Sequence, residues 1–382
     1  MGEILSSRIR EGGAMRFDAW MHAALYEPEL GYYARPGRTL GRQGDFYTSA
    51  SVGPVFGWLL AARIGWWMEK LAAEAPGSDL MLVEAGGHEG PLAAEVGLAW
   101  VKERPDWISR LRYLSIEPME FLWNLQRERW KETGLPAVRA RDLQEAMAMM
   151  PDQGGVGVFF ANELLDAFPI RRFRWNVALK DWCEAYVGWE GSRFVWEWRN
   201  LRRGTDFPII PEDTSGSTSK PELPEELADV LPDGFVWEAS PAALEWWGRV
   251  SRLFQRGVWL TFDYGHDASS RWDPRRVGGS LRGYRGHRPV EDVLDSPGEQ
   301  DLTAHVDWQA VCQRGEREGL RTVSLEAQER FLVQVANEAG WMQEGSVLSD
   351  AQQRRQFMEL THPGRLGRSF QALVQERVGM TR

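Results

Sequence analysis

The apolar positions of the chain fall into runs that alternate between the two periods of regular structure. Leu80 to Val83 is an apolar run of strand length, and Leu92 to Val101 is apolar with helical spacing. Tyr113 to Glu117 reads as a short strand ending in a carboxylate, Met119 to Trp130 as the helix behind it, Val138 to Leu143 as a third strand and Gly157 to Ala161 as a fourth. Gly257 to Gly265 is again a strand that ends in a polar turn. Strands alternating with helices predict a parallel sheet with crossover helices. Ahead of this region, Phe17, Trp20, Met21, Ala24 and Leu25 share one face of a helix over Met15 to Tyr26, and Val55 to Leu71 predicts a long helix.

The pattern changes at Arg171. From there to Trp198, short aromatic runs alternate with charge, which predicts antiparallel hairpins inserted into the α/β core. Phe207 to Glu225, rich in Pro, Ser, Thr and Glu, reads as a flexible linker. Pro241 to Phe254 reads as a helix and Ser269 to Gly298 as loop. The tail from Ser349 reads as helical, with an edge strand over Met358 to His362. The expected division is 1–78 (N-terminal helical extension), 79–170 (α/β core with the cofactor site), 171–238 (inserted β subdomain and linker) and 239–382 (remainder of the core and C-terminal region).

Composition narrows the function class. A content of 43% hydrophobic and 26% charged residues is that of an ordinary globular protein. The net charge of −10 argues against a general nucleic-acid binder, and no apolar run is long enough to predict a membrane span. The 20 tryptophans therefore read as core and sheet packing rather than as base-stacking platforms. Cys183 and Cys312 alone make neither a disulfide framework nor a zinc pattern, and no metal site is expected. With no signal core at the N-terminus, the expected compartment is reducing and cytoplasmic.

The chemistry gathers at strand ends. Glu84-Ala85-Gly86-Gly87-His88-Glu89-Gly90 is a glycine-rich turn between strand and helix, either the seat of a nucleoside-bearing ligand in a parallel sheet or a tight turn without one. Its spacing is not that of the dinucleotide fingerprint. It is similar to the E-x-G-x-G-x-G motif of class I S-adenosylmethionine methyltransferases, with His88 in place of the middle glycine. Glu117 either accepts hydrogen bonds from ribose hydroxyls or is a solvated strand-end glutamate, and Asp142 either meets the adenine amino group or caps a helix. Glu163 and Asp166 lie three apart in Asn162-Glu163-Leu164-Leu165-Asp166-Ala167-Phe168-Pro169. If this segment is helical after Asn162, they share a face and can hold a guanidinium; the alternative is a purely structural role, with Asn162 capping the helix and Glu163 in its first turn. His305, with Asp301 four residues before it, reads as a general base or a structural hydrogen-bonder.

Several of these segments together resemble one family, the MidA-type methyltransferases, whose mitochondrial members assist assembly of respiratory complex I. The similar pieces are Gly44-Asp45-Phe46-Tyr47-Thr48, the Glu84 to Leu92 turn, Glu117, Asn162 to Pro169, Asp263-Tyr264-Gly265, Gly279 to Tyr284, Pro297 to Asp307, and Gln328 with Phe331-Leu332, all in the family's order. The resemblance implies a class I methyltransferase fold: a mostly parallel seven-stranded sheet with helices on both faces. It also implies S-adenosylmethionine as methyl donor and an arginine side chain of a protein as acceptor. It places Asp45, Thr48, Glu84, Gly86, Gly87, His88, Gly90, Glu117, Asp142 and Asn162 around the cofactor. Glu163 and Asp166 would be catalytic, with His305 and Asp301 as secondary candidates. The family turn usually has Pro where this chain has Gly87 and Gly where it has His88, and many members carry an acid near Ser51. Two other readings stand beside this one: a methyltransferase of a different nucleophile, and, motivated by His88, a methyltransferase-like assembly factor without cofactor. The oligomeric state is open, a homodimer among the options.

Overall fold

The computed structural model describes residues 1–35, 48–151, 154–201, 223–266, 272–286, 288–343 and 345–378. Asp45 and most of the linker expected over Phe207 to Glu225 lie outside the described residues. The chain forms two compact units, one made of Met1–Arg38, Ala167–Leu244 and His266–Asp307, the other of Thr39–Asp166, Glu245–Gly265 and Trp308–Arg382.

The second unit is built on seven strands: β1 (Leu80–Ala85), β2 (Leu111–Ile116), β3 (Ala137–Ala140), β4 (Gly155–Asn162), β5 (Phe254–His266), β6 (Arg321–Ala327) and β7 (Phe370–Arg377). They lie in the order β3-β2-β1-β4-β5-β7-β6. Neighbours from β3 to β5 are parallel, and β7 is antiparallel to both β5 and β6. The expected mostly parallel seven-stranded sheet is therefore present. β1 is buried at all six positions, as a central strand covered on both faces must be, hence its unbroken apolar run. Helices α1 (Val55–Glu74), α2 (Pro91–Glu103), α3 (Glu120–Lys131) and α4 (Gln328–Glu338) flank the sheet. Leu60, Ile64, Val96 and Leu332 belong to the same core as Leu82, Val158 and Leu260 of the strands. Strand order reverses between β1 and β4, so the loops after these strands diverge and open a crevice at their carboxyl ends.

Two expectations in this unit and its partner are corrected. Met358 to His362 is not an edge strand: the residues through Thr361 end the helix Ala351–Thr361, whose buried Phe357 and Leu360 recur at helical spacing. The strand is β7, and it lies inside the sheet. Ser269 to Gly298 is not all loop, because Arg282–Arg285 pairs with both Arg288–Val290 and Asp301–Thr303.

The first unit carries the aromatic strands. Arg171–Asn176, Asp181–Glu190 and Arg193–Asn200 form the expected antiparallel hairpins, extended by Val236–Ala239. Met15 and Arg16 pair with Val187 and Tyr186, which ties the first helices to this sheet. Leu5, Phe17 and Trp20 accordingly share a core with Ala185 and Val187. The tryptophans pack as expected: Trp20 and Trp182 are fully buried, while the guanidinium of Arg172 covers Trp196 at 5.0 Å and that of Arg174 covers Trp198 at 4.4 Å. Among the described residues, no helix is long and apolar enough to cross a membrane.

Candidate active site

β1 runs into a turn that only particular backbones can make. Gly86 has φ 71°, and a side chain there would meet the Leu164 methyl at 2.9 Å. Gly90 has φ 77°, caps α2 in the left-handed conformation and is followed by Pro91 at the first helical position. His88 also adopts a left-handed conformation, with φ 47°, one that histidine tolerates better than most side chains. The exposed backbone at Gly86 and the N-terminus of α2 face the crevice end of the sheet.

Beneath this turn lies a buried polar network. Gln126, 1% exposed on α3, donates through Nε2 to the His88 carbonyl (2.7 Å) and to Glu117 Oε2 (3.0 Å), and its Oε1 accepts from Ser115 Oγ (2.5 Å). One side chain thus fixes the turn after β1 to the carboxylate after β2. Glu117 Oε1 accepts from the Met119 amide at 2.9 Å. Glu84 is buried at the end of β1 and accepts from Tyr113 Oη at 2.5 Å. The pattern carried a signal for Gln126: Leu122, Gln126 and Trp130 are the buried stripe of α3, and glutamine is its polar member. We expect Gln126→Leu to weaken cofactor binding about tenfold, the equivalent of about 1.4 kcal/mol, without unfolding the chain. Calorimetry with S-adenosylmethionine checks this, and an unchanged affinity would remove Gln126 from the site.

Asp142 takes the capping role, accepting from the Glu145 amide at 2.8 Å at the start of the helix Leu143–Ala148. Thr48 and Ser51 cap each other across the short turn Ser49–Ser51: Thr48 Oγ1 accepts from the Ser51 amide and Ser51 Oγ from the Thr48 amide.

The second cluster sits after β4. The expected helix from Asn162 is absent: Asn162 ends the strand, Glu163 turns left-handed with φ 53°, and only Leu165–Ala167 forms a 3₁₀ turn. The reason lies on β5. Asp263 Oδ2 accepts from the amides of Leu164, Leu165 and Asp166 at 3.1, 2.7 and 3.1 Å, and Oδ1 accepts from the Tyr264 amide. A carboxylate from the neighbouring strand therefore gathers the amides that a helix would have left to its own cap. Glu163 Oε1 accepts from the Ser49 amide and from Asn162 Nδ2, both at 3.0 Å. Asn162 Oδ1 is buried with no hydrogen-bond partner, an acceptor left over beside the carboxylate.

Burial, then the nearby Asp166, pushes Glu163 up to about 8. Burial and the Glu163 charge also push Asp263 upward, but its four amide donors favour the ionised form, so the shared proton belongs on Glu163. Burial raises Glu84 and Glu117 to about 7. These acids keep their protons in the fold at pH values where the unfolded chain, near 4.5, has released them. The unfolded state then binds fewer protons, so stability is fullest below about pH 4.5 from these groups and is lost as pH rises toward 8. The melting temperature of the ligand-free protein should fall from pH 5 to pH 8 in scanning calorimetry; a rise across that window contradicts the assignment.

His305 and Asp301 belong to the first unit. The His305 amide donates to Ser280 Oγ (2.9 Å), and its Nδ1 lies 3.2 Å from Arg276 Nη2. Desolvation and the Arg276 cation hold its imidazole below the ordinary value, so it is neutral at pH 7. Asp301 is buried and accepts from Tyr33 Oη at 2.8 Å. Among the described residues no cluster of His, Cys, Asp and Glu has the arrangement of a metal site.

Comparison with known proteins adds four findings. A family model for S-adenosyl-L-methionine-dependent methyltransferases matches residues 59–325. The chain is 26% identical over 394 residues to the mitochondrial protein arginine methyltransferase NDUFAF7 homolog of Caenorhabditis elegans, spanning 97% of this chain and 84% of that protein. It is 27% identical over 330 residues to protein arginine methyltransferase NDUFAF7, mitochondrial, of Danio rerio, spanning 80% and 69%. A crystal structure from Burkholderia thailandensis, bound to S-adenosyl-homocysteine, superposes with a TM-score of 0.79 at 24% identity, over 100% of this chain and 92% of that one, a likeness of fold. The expected cytoplasmic localisation is corrected by the relatives, which are mitochondrial proteins. Two cysteines with no disulfide between them fit any reducing compartment and do not select the cytoplasm.

Proposed function

The chain belongs to the S-adenosyl-L-methionine-dependent methyltransferase family, and from that premise we propose that it is a protein arginine N-methyltransferase. The turn after β1 fits the cofactor: an exposed glycine backbone, a helix N-terminus, and Glu117 with hydrogen-bond capacity left for ribose hydroxyls. Bound there, S-adenosylmethionine supplies an electrophilic methyl group on sulfur. Glu84, Gly86, Gly87, His88 and Gly90 shape its seat, with Thr48 and Asn162 at the mouth.

The observation that supports arginine as acceptor is the acid pair at the crevice end of β4, the half-buried Glu163 beside the buried Asp166. A guanidinium is a poor nucleophile until carboxylates draw its positive charge away from the reacting nitrogen. A bound guanidinium would displace the proton of Glu163; the carboxylate then meets its N–H groups, holds that charge and takes up the proton the nitrogen loses as its bond to the methyl group replaces the methyl–sulfur bond. The names of the relatives support the same acceptor class. The finer proposal, carried by the resemblance, is an arginine on a respiratory complex I subunit. His305 and Asp301 remain secondary positions in this scheme.

The test incubates purified protein and radiolabelled S-adenosylmethionine with a mitochondrial extract. Label recovered as methylated arginine after hydrolysis supports the reading. Label on another residue or on small molecules replaces it with a different acceptor, and no binding at millimolar cofactor removes catalysis altogether.

A further inference from the structure

We infer that Ser49 and Gln328 are positioning residues that hold Glu163 in its working orientation, through a hydrogen-bonded relay anchored on the end of a distant helix. Ser49 is fully buried and connects two partners: its amide donates to Glu163 Oε1 at 3.0 Å, and its hydroxyl donates to Gln328 Oε1 at 3.1 Å. Gln328, also fully buried at the start of α4, donates through Nε2 to the Leu360 carbonyl at 3.0 Å. The relay therefore runs from Leu360 through Gln328 and Ser49 to Glu163. It joins four segments far apart in the chain.

The geometry makes the relay more than packing. Glu163 stands on a left-handed backbone after a strand end, a position that does not by itself dictate where the side chain points. Two donors orient its Oε1: the side-chain Nδ2 of Asn162, the preceding residue, and the backbone amide of Ser49. Of these, only the Ser49 amide comes from outside the β4 turn. Ser49 occupies the first position of a single 3₁₀ turn whose Thr48–Ser51 caps close it on itself and do not reach the residues beneath it. The hydroxyl bond to Gln328 is what fastens that turn from below. Loss of the glutamine frees the Ser49 amide to drift, and a carboxylate that loses an amide donor becomes harder to ionise. A misplacement of about 1 Å at a reacting group costs up to 10²-fold in rate.

The inference rests on Glu163 as the guanidinium-facing group, so its test reads Glu163 directly. Protein labelled with ¹³C at glutamate δ carbons is titrated from pH 5 to 10 by NMR, with the Glu163 resonance assigned by its loss in Glu163→Gln. In both Gln328→Leu and Ser49→Ala, the Glu163 midpoint should rise by about one unit, and the double variant should rise no further, because both break one relay. In the labelling assay both variants should lose about tenfold in kcat with the KM for S-adenosylmethionine unchanged. Ser49→Ala removes only a hydroxyl and keeps the amide, so it remains informative if Gln328→Leu folds poorly. A midpoint in Ser49→Ala equal to that of wild type overturns the relay. The titration needs no methyl acceptor: a wild type that labels no protein sinks the arginine reading while a shifted midpoint still upholds the positioning role.

Discussion

Glu163→Gln is expected to lower methyl transfer by about 10²–10³-fold, the equivalent of about 2.7–4 kcal/mol, while leaving the fold and the cofactor affinity in place. Glutamine has nearly the same shape and can still accept from the Ser49 amide and Asn162 Nδ2 through one oxygen. What it lacks is the ability to ionise when a guanidinium arrives, and it presents an NH₂ group where the guanidinium needs an acceptor. The stability effect runs the other way. The wild-type carboxyl, raised to about 8, makes folding less favourable as pH climbs from about 4.5, because the unfolded chain releases its proton first. An amide does not ionise, so Glu163→Gln should flatten part of the fall in melting temperature and be the more stable protein at pH 8. A variant that loses activity while gaining stability separates a chemical role from a structural one. Equal labelling by wild type and Glu163→Gln, measured at saturating cofactor, would take Glu163 out of the mechanism.

Asp263→Ala should have the opposite profile, a loss of fold first and of activity as its consequence. Three successive amides converge on one carboxylate oxygen and a fourth on the other. Each buried donor left without a partner costs about 1–3 kcal/mol. Relaxation of the turn and entry of water recover part of this, so the expected loss is about 3–5 kcal/mol in urea unfolding. Asp263→Asn keeps one acceptor oxygen for Leu164, Leu165 and Asp166 and should lose less than half as much. An unfolding midpoint for Asp263→Ala equal to that of wild type would show that the turn holds itself. Because Asp263 shapes the segment that carries Glu163, cofactor binding at the β1 turn should survive conditions in which transfer has already been lost.

The strands that build the site were legible because each is a local apolar run bounded by turn residues. β1, β2, β4 and β5 fall on the segments that periodicity marks, and the glycine turn and Glu117 fall at their ends. Asn162 to Pro169 shows where local reading stops. The spacing of Glu163 and Asp166 fits a helix, and an asparagine ahead of them fits its cap. The structure has neither, because Asp263, 98 residues along the chain from Leu165, takes the amides instead. Gln126 was visible only as a polar intruder on the buried stripe of α3; its partner, the His88 carbonyl, lies 38 residues away.

The amino-acid sequence by itself determined the alternation of strand and helix, the parallel sheet with its glycine turn, and the acids at the strand ends. Apolar periodicity and glycine's access to positive φ act within a few residues and leave their mark in the sequence. Tertiary structure alone decided which polar groups those acids meet. Gln126 locks the turn to Glu117, Asp263 converts a would-be helix into a left-handed corner, and Ser49 with Gln328 aims Glu163. The physical reason is that a buried polar group must find a partner wherever the packed chain brings one, and sequence distance does not enter that requirement.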